Sequence, residues 1–512
     1  MGQETSALNN KRIAKNTILL YIRMLLIMAV GLYTSRVTLN VLGVVDYGLN
    51  NVVGGVVTMF AFLNTAMITA SQRYITYGLA QNNLDRLKVI FNTSFQVHVI
   101  IAIIIVLLGE TIGLWFVYNK MVIPPERMTA CLWVYHLSIV TMVSTILSVP
   151  YNSEIIAHER MGAFAIISIV EAVFKLGLVY LLIISTFDKL ILLALLYAIF
   201  QIIIQFSYVY YCRINFEESK IIRVLDKPLI KEMGLFASWN LIGNIAVTLC
   251  GQGLNLLINM FFGPAINAAR AVAVQVDAAV EKFSSNFLMA VNPQLTKLYA
   301  QEHRADLLSL LYRSSKFAYF LILSLSLPIF LETEAILTLW LKTVPDYTVP
   351  FVRILLAMAI VNTLARPSVT VISATGQVKA YQLVIGGTLL TVVPISYLVL
   401  KLGGDPNSVY IVHFVVNMVA FMVRIGFMKK LIDLPIGEYV YNVIWKCSLV
   451  TLVAMFVSYI FSEAITNNIW TMLLSCTFSF VITLIFSYFL GMTLHERMVI
   501  KSKAISVLRR IK

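Results

Sequence analysis

The chain has 512 residues, of which 59% are hydrophobic and only 12% are charged. Soluble domains are typically about 45–50% apolar and about 25% charged, so this composition excludes an ordinary soluble protein and favours one that crosses a membrane many times. The formal net charge of +14 is not gathered into a basic patch with interleaved aromatic residues, which argues against a nucleic-acid partner.

Apolar segments recur along the whole chain. Residues 1–15 are polar and basic, and the apolar segment after them is too long for a signal peptide, so we expect it to remain as the first span. Breaks rich in charge or turn residues separate the segments that follow. The pattern predicts an all-α protein of about fourteen transmembrane helices, numbered spans 1 to 14, at residues 17–40, 47–70, 89–116, 129–151, 162–186, 190–211, 235–260, 265–290, 315–340, 350–374, 380–400, 408–428, 440–461 and 469–490.

Lysine and arginine are concentrated on alternate loops of this prediction. About 25 of them lie in the set of loops that includes both ends of the chain, and about five lie in the other set. Because cytoplasmic loops carry the excess of positive charge, both termini are predicted to be cytoplasmic. We therefore expect a multi-pass protein of a bacterial inner membrane.

The two halves of the chain resemble each other at a shift of about 220 residues. The shift superimposes Gly43 on Gly263 and Val52 on Val272, and it places spans 1 and 2 on spans 7 and 8 in the same orientation. Such parallel repeats are common in transporters, which bind substrate between the halves. We predict an N-terminal lobe at 1–225, a C-terminal lobe at 226–435, and spans 13 and 14 with a basic cytoplasmic tail at 436–512.

Span 7 carries a stripe of polar side chains with helical spacing. Steps of three or four residues place all of them on one face. Lipid cannot satisfy so many donors and acceptors, so the face must meet another helix or water. Interhelical hydrogen bonding is one interpretation; six polar groups in register favour the other, a hydrated cavity wall. They are Asn240, Asn244, Thr248, Gln252, Asn255 and Asn259.

Span 8 carries two acids one turn apart, Asp277 and Glu281. Two carboxylates at this spacing repel each other unless a cation or proton intervenes, and charge inside a bilayer is costly. They are therefore candidates for coupling transport to an H⁺ or Na⁺ gradient. The alternative is a structural network in which Arg270 and Lys282 neutralise them.

Further polar residues in spans 1, 2 and 10 complete the candidate cavity. Arg23, Arg36 and Asn40 lie on span 1, Asn51 begins the polar face of span 2, and Arg366 lies on span 10. Together with Arg270, the arginines outnumber the two acids. Guanidinium groups bind phosphate bidentately, so the cavity is predicted to take an anionic, phosphate-bearing substrate. Elsewhere, Glu171 and Lys175 are four residues apart and are predicted to neutralise each other.

No enzyme is predicted. The sequence has no glycine-rich phosphate loop, no nucleophile elbow and no HExxH motif. Its five cysteines are scattered without metal-type spacing, so neither a metal site nor a cofactor is expected. The predicted outer loops are short, and the acids Asp46 and Asp346 on them are isolated.

Two groups of short motifs resemble a known family, the polysaccharide-transporter branch of the MOP superfamily, which contains the Wzx-type oligosaccharide flippases. The first group closes span 1 and the second surrounds span 8. The residues are Arg36, Leu42-Gly43 and Asp46-Tyr47-Gly48-Leu49, then Gly263-Pro264, Asn267-Ala268-Ala269-Arg270, Val291-Asn292-Pro293-Gln294 and Lys297. With the number of spans and the repeat, the resemblance covers nearly the whole chain.

The resemblance implies two six-helix lobes in a V, which open alternately to cytoplasm and periplasm. It implies that the substrate is an undecaprenyl-pyrophosphate-linked oligosaccharide, flipped to the periplasmic leaflet, with Arg23, Arg36 and Arg270 at positions that meet pyrophosphate. Spans 13 and 14 resemble the extra pair that accommodates a prenyl tail in lipid II flippases. Membrane lipid and polysaccharide polymerase or chain-length proteins are the implied partners.

Three alternatives remain open from the sequence. The acidic pair Asp277 and Glu281 departs from an anion-only cavity and keeps open a cation-coupled multidrug antiporter of the related MATE branch. A peptidoglycan lipid II flippase and a membrane enzyme are the others.

Overall fold

The computed structural model describes residues 2–60, 71–72, 74–76, 78–79, 83–158, 160–222, 226–464, 468–494 and 496–498; side-chain surroundings in 2–22, 235–244 and at 161, 289–290, 293, 300 and 378 are outside this description. Every regular element within these ranges is helical. The helices are α1 Gly2–Thr58, α2 Leu84–Leu108, α3 Leu114–Lys120, α4 Met128–Ala157, α5 Met161–Ile184, α6 Lys189–Asn215, α7 Lys227–Phe262, α8 Pro264–Ala300, α9 Arg304–Leu331, α10 Thr333–Leu341, α11 Thr348–Ala374, α12 Val378–Leu390, α13 Val392–Lys401, α14 Pro406–Ile432, α15 Ile436–Tyr439, α16 Lys446–Glu463 and α17 Ile469–Phe486.

Twelve helices in the described part of the chain are long and apolar enough to cross a membrane. Predicted spans 1 and 2 both overlap a single candidate, Arg23–Thr58, although residues 61–70 of span 2 lie outside the described residues, and α8 is too polar to be one of the twelve. Many large apolar side chains face outward, among them Leu107, Ile184 and Trp470. Such a surface would be insoluble in water and suits lipid. The prediction of an all-α, multi-pass membrane protein is confirmed, and fourteen is an approximate count.

Two glycines 220 residues apart have the same unusual backbone conformation. Gly43 interrupts α1 with φ 78° and ψ 170°, and Gly263 separates α7 from α8 with φ 79° and ψ −175°. Only glycine adopts this combination at little cost, because a Cβ would collide with the backbone. The two positions are those that the 220-residue shift superimposes, so a local structural feature repeats with the period found in the sequence.

The chain forms two compact units. The first comprises 1–271 with 393–406, and the second comprises 272–392 with 407–512, so that α8 is divided between them. In the first unit, α4 packs against α6 and α1 packs against α5. In the second, α9 packs against α11, α16 and α17. The lobe boundaries at 225 and 435 stay a prediction.

Within each unit, contacts sort the loops to two ends. In the first unit, Arg127 joins Asp46 and Asp188, which come from three loops predicted to be periplasmic. At its other end, Arg86 pairs with Asp226, and both belong to loops predicted to be cytoplasmic. In the second unit, Arg304 and Asp433 likewise come from two predicted cytoplasmic loops. Each of these contacts joins loops that the charge pattern predicts to lie on the same side.

Candidate functional site

The predicted site residues fall into three separate groups. The first lies where α1 meets α5. The guanidinium of Arg23 lies 4.2 Å from the ring centre of Phe164. Tyr33 and Tyr180 share a hydrogen bond of 2.7 Å, and the half-buried Arg36 is an electrostatic neighbour of Tyr180. In this conformation Arg23 is held by cation–π contact, an interaction that a protein uses for packing as well as for ligands.

Asn40 lies on α1, and the acid–base pair Glu171 and Lys175 lies on α5. Asn40 is exposed, one turn from Arg36. Glu171 and Lys175 form a 2.6 Å ion pair, which confirms the prediction that they neutralise each other. Arg23 has Glu171 among its electrostatic neighbours, so a guanidinium, a carboxylate and an ammonium occur together between α1 and α5.

The second group contains the described part of the α7 stripe, and here the amides bind protein. Asn255 is buried, and the side chain of Asn267 donates to its backbone and side-chain oxygens, both at 2.8 Å. Asn259 is also buried and bonds both backbone groups of Val122. Asn51 contributes its carbonyl oxygen, 3.5 Å from the amide nitrogen of Asn255. Interhelical bonding therefore accounts for these two stripe residues in this conformation.

The remaining stripe residues differ from these two. Gln252 is half-buried, and its side-chain oxygen lies 3.3 Å from the amide nitrogen of Asn255. The side chains of Asn240 and Asn244 lie outside the described residues. The hydrated cavity wall predicted from six polar residues in register stays a prediction for the other four, which are Asn240, Asn244, Thr248 and Gln252.

Close packing brings the helices of the second group into contact. A Cβ at Gly48 would overlap the carbonyl oxygen of Pro264, and one at Gly55 would meet the amide of Asn255. The absence of side chains at both positions allows α1 to approach α7 and the start of α8 closely. Gly48 also faces Ala268, its counterpart at the 220-residue shift.

Arg270 belongs to this second group. It is 8% exposed, and its Nη2 donates to the carbonyl oxygen of Gly251 at 2.7 Å. Its Nε is buried and has no hydrogen-bond partner among the described residues. A guanidinium has five donors, and a buried donor left unpaired costs free energy. Arg270 is therefore under-satisfied in this conformation, which suits a residue that binds a ligand in another.

The third group joins α8 to α11 in the second unit. Glu281 and Arg366 form a 2.7 Å ion pair, and Arg366 also donates to Ser285 at 2.8 Å. One step further along, Thr370 donates to Asn292 at 2.9 Å. Asp277 is half-buried, with Glu281 and Arg366 as its electrostatic neighbours. Polar contacts thus follow the α8 face for four turns.

This geometry corrects the predicted neutralising partners of the acids. The cation on Glu281 is Arg366, whereas Lys282 is exposed and Arg270 bonds to Gly251. Arg366 pairs with Glu281 and is an electrostatic neighbour of Asp277, which forms no ion pair of its own in the described part of the chain. Both Glu281 and Arg366 are about one-third exposed, at 33% and 31%. A small ion could reach this group without unfolding the unit.

Sequence reasoning missed one charged cluster. Asp46, predicted to be isolated, accepts from Nε of Arg127 at 2.9 Å, and Arg127 also donates to Asp188. Burial alone would raise the pKa of Asp188, but the bonds from Arg127 and from the amides of Leu190 and Ile191 lower it below its ordinary value. The sequence signal for this cluster was that Arg127 and the two acids lie on loops predicted to be on the same side of the membrane.

Solved structures share this fold. The lipid II flippase MurJ in an inward closed conformation matches with a TM-score of 0.64 and 13% identity, covering 93% of this chain and 98% of that one. An inward-facing multidrug-resistance MATE transporter of the MOP superfamily matches with a TM-score of 0.59 and 14% identity, covering 80% and 98%. An outward-facing one gives 0.59 and 13%, covering 82% and 96%.

No protein-family model and no curated protein matches the sequence. At these identities the structural likeness establishes the architecture alone. The neighbours are a lipid II flippase and MATE transporters, and the latter are described as members of the MOP superfamily. The chain therefore has the fold of MOP-superfamily transporters.

Proposed function

We propose that this protein is a flippase for undecaprenyl-pyrophosphate-linked oligosaccharides of the O-antigen, capsule or exopolysaccharide type. It moves them from the cytoplasmic to the periplasmic leaflet of the bacterial inner membrane by alternating access, with both termini in the cytoplasm. The observation that carries the proposal is the extent of the likeness: 93% of the chain matches a lipid flippase, against 80–82% for drug transporters.

The two C-terminal helices support a lipid-linked substrate. α16 and α17 pack on each other and on α9, and they turn Leu452, Phe456 and Trp470 outward. An apolar pair of this kind offers a surface along which a prenyl tail remains in lipid while the sugar crosses.

Arginine supplies the recognition of pyrophosphate in this proposal. Arg270 has a buried donor that no described residue satisfies, and Arg36 is half-buried one turn from the exposed Asn40. Guanidinium groups bind phosphate oxygens in pairs, and they do so most strongly away from bulk water. In a conformation that frees Arg270 from Gly251, its donors would meet the pyrophosphate.

Deletion of the gene tests the proposal directly. We expect loss of surface glycan and accumulation of lipid-linked repeat units on the cytoplasmic side. Arg36→Ala and Arg270→Ala should reproduce the loss while the protein still inserts, and Arg304→Gln, in an exposed cytoplasmic pair, is the matched control. Normal glycan in the deletion strain would refute the flippase, and normal glycan in both variants would refute the arginine assignment.

A cation-coupled multidrug antiporter is the second candidate, favoured by the two acids that share Arg366. It predicts that deletion changes drug tolerance and leaves the glycan intact. The flippase can also use the acids for coupling, in which case Asp277→Asn alters the dependence of transport on the proton or sodium gradient. Transport that ignores ionophores in the unmodified protein would remove coupling from either candidate.

A further inference from the structure

Three potential metal ligands meet at the predicted cytoplasmic end of the first unit. They are Glu154 and His158, at the end of α4, and Glu218, in the 3-10 turn Glu217–Ser219 that follows α6. One ligand atom of each lies within 4.8 Å of the others. Glu154 and His158 are four residues apart, which places both side chains on one face of the helix.

The buried carboxylate of Glu154 has no adequate partner. Glu154 is 0% exposed, and neither of its oxygens accepts a hydrogen bond from an N–H or O–H group of the described residues. The thiol of Cys212 faces it, and a thiol is a weak donor. A buried carboxylate without compensation is costly. It becomes favourable when a cation occupies the space in front of it.

The other two ligands are already positioned. Nε2 of His158 lies 2.7 Å from Oε1 of Glu218, and the His158 ring stacks on Phe216 with centroids 4.1 Å apart. Stacking fixes the plane of the imidazole, so its lone pair can be directed at an ion instead of the carboxylate.

We propose that Glu154, His158 and Glu218 bind a divalent transition-metal ion of the Zn²⁺ class. One imidazole and two carboxylates are ligands that Zn²⁺ accepts in four-coordinate sites with a water molecule in the remaining position. Mg²⁺ prefers six oxygen ligands in octahedral geometry, which this set does not supply. The ion clips the end of α4 to the turn after α6, and its binding does not depend on the transported substrate.

The test uses the full-length protein in detergent, with any affinity tag removed. After treatment with a chelator, the protein is titrated with ZnCl₂ or MgCl₂; bound metal is measured by mass spectrometry after desalting, and unfolding temperature is measured in parallel. We expect one retained Zn²⁺ per chain and a rise in unfolding temperature with Zn²⁺ but not with Mg²⁺, because an ion bound only to the folded state stabilises it.

Glu154→Gln and His158→Gln should each weaken zinc binding by at least about tenfold and remove the thermal shift. His136→Gln is the matched control, since His136 lies on the same helix and pairs at 3.0 Å with the exposed Glu110, and the described residues place no third ligand beside this pair. If Glu154→Gln does not fold, His158→Gln decides, because His158 is at the helix end and partly exposed. Failure of the unmodified protein to retain zinc, equal retention in all variants, or an equal shift with Mg²⁺ would overturn the proposal.

Discussion

Two ion pairs of the second unit have the same length and very different surroundings. Glu281–Arg366 and Lys316–Glu496 both measure 2.7 Å. The first pair is about one-third exposed on each side, whereas the side chains of Lys316 and Glu496 are 2% and 5% exposed. Distance alone would rank the two pairs as equal. Burial makes Lys316–Glu496, called the buried pair below, a structural contact, whereas Glu281–Arg366 stays accessible.

The buried pair Lys316–Glu496 holds the segment after α17 in place. Glu496 also accepts from the amide of Thr493 at 2.7 Å, and Lys316 on α9 lies 3.5 Å from the carbonyl oxygen of Gly491. A Cβ at Gly491 would overlap the ring of Phe320, so glycine is needed for this close approach. The Glu281–Arg366 pair has no such enclosure. A transporter needs both kinds of contact, because its helices must be anchored while its site exchanges partners.

Breaking the buried pair should produce the largest change in stability. Lys316→Met leaves the Glu496 carboxylate buried without its cation, and removal of one partner of a buried pair costs about 3–5 kcal/mol. The measurement is the free energy of unfolding in detergent. The double variant Lys316→Met/Glu496→Gln should recover much of the loss. A cost below about 1 kcal/mol for the single variant would show that the pair is hydrated and that the comparison fails.

Breaking the accessible pair should instead reduce transport. In Arg366→Met, the two acids lose their shared cation and the bond to Ser285 is lost, so we expect surface glycan production to fall at least about tenfold, or about 1.4 kcal/mol. Stability should change by only about 0–1 kcal/mol, as for solvent-exposed pairs. Arg366→Lys keeps the charge but not the planar fork and should be intermediate. Full transport with a large loss of stability would reverse the two assignments.

The buried pair should also make a contribution to stability that is lost in acid. Burial alone would raise the pKa of Glu496, but the bond from Lys316 and those from Thr493 lower it below its ordinary value. Its folded pKa is thus lower than its unfolded value of about 4.3. The contribution is complete above about pH 4.3 and is lost as pH falls through the folded pKa. The free energy of unfolding, measured from pH 7 to pH 3, should fall more steeply with decreasing pH in the unmodified protein than in Glu496→Gln. Parallel curves would contradict this.

The sequence predicted the features that depend on local pattern. Apolar length predicted the spans, charge on alternate loops predicted which loops meet, and the 220-residue shift superimposed Gly43 and Gly263, which share one backbone conformation. The Glu171–Lys175 pair followed from helical spacing. Each of these depends on neighbours within a few turns or on a composition that lipid imposes.

Partners distant in sequence could not be predicted. Helical periodicity shows that Asn255 and Glu281 lie on polar faces, but not that Asn267 satisfies the first and Arg366 the second. Asp46 was predicted to be isolated, although Arg127 binds it from another loop. Lys316, near the start of predicted span 9, is buried against Glu496, which lies beyond predicted span 14. Burial of a charge depends on which segment covers it, and that is decided by packing.

A third ion pair, Arg304–Asp433, extends the comparison to side chains that are mostly exposed. Arg304 and Asp433 are 4.0 Å apart with side chains 57% and 83% exposed, and Arg304 also donates to the carbonyl oxygen of Asp433 at 2.7 Å. Arg304→Gln should change the free energy of unfolding by at most about 0.2–1 kcal/mol, and less in high salt, because water and ions screen exposed charges. If this loss approached that of Lys316→Met under identical detergent conditions, burial would not be the variable that separates the pairs. The assignment of Glu281–Arg366 to transport would then need support from transport measurements alone.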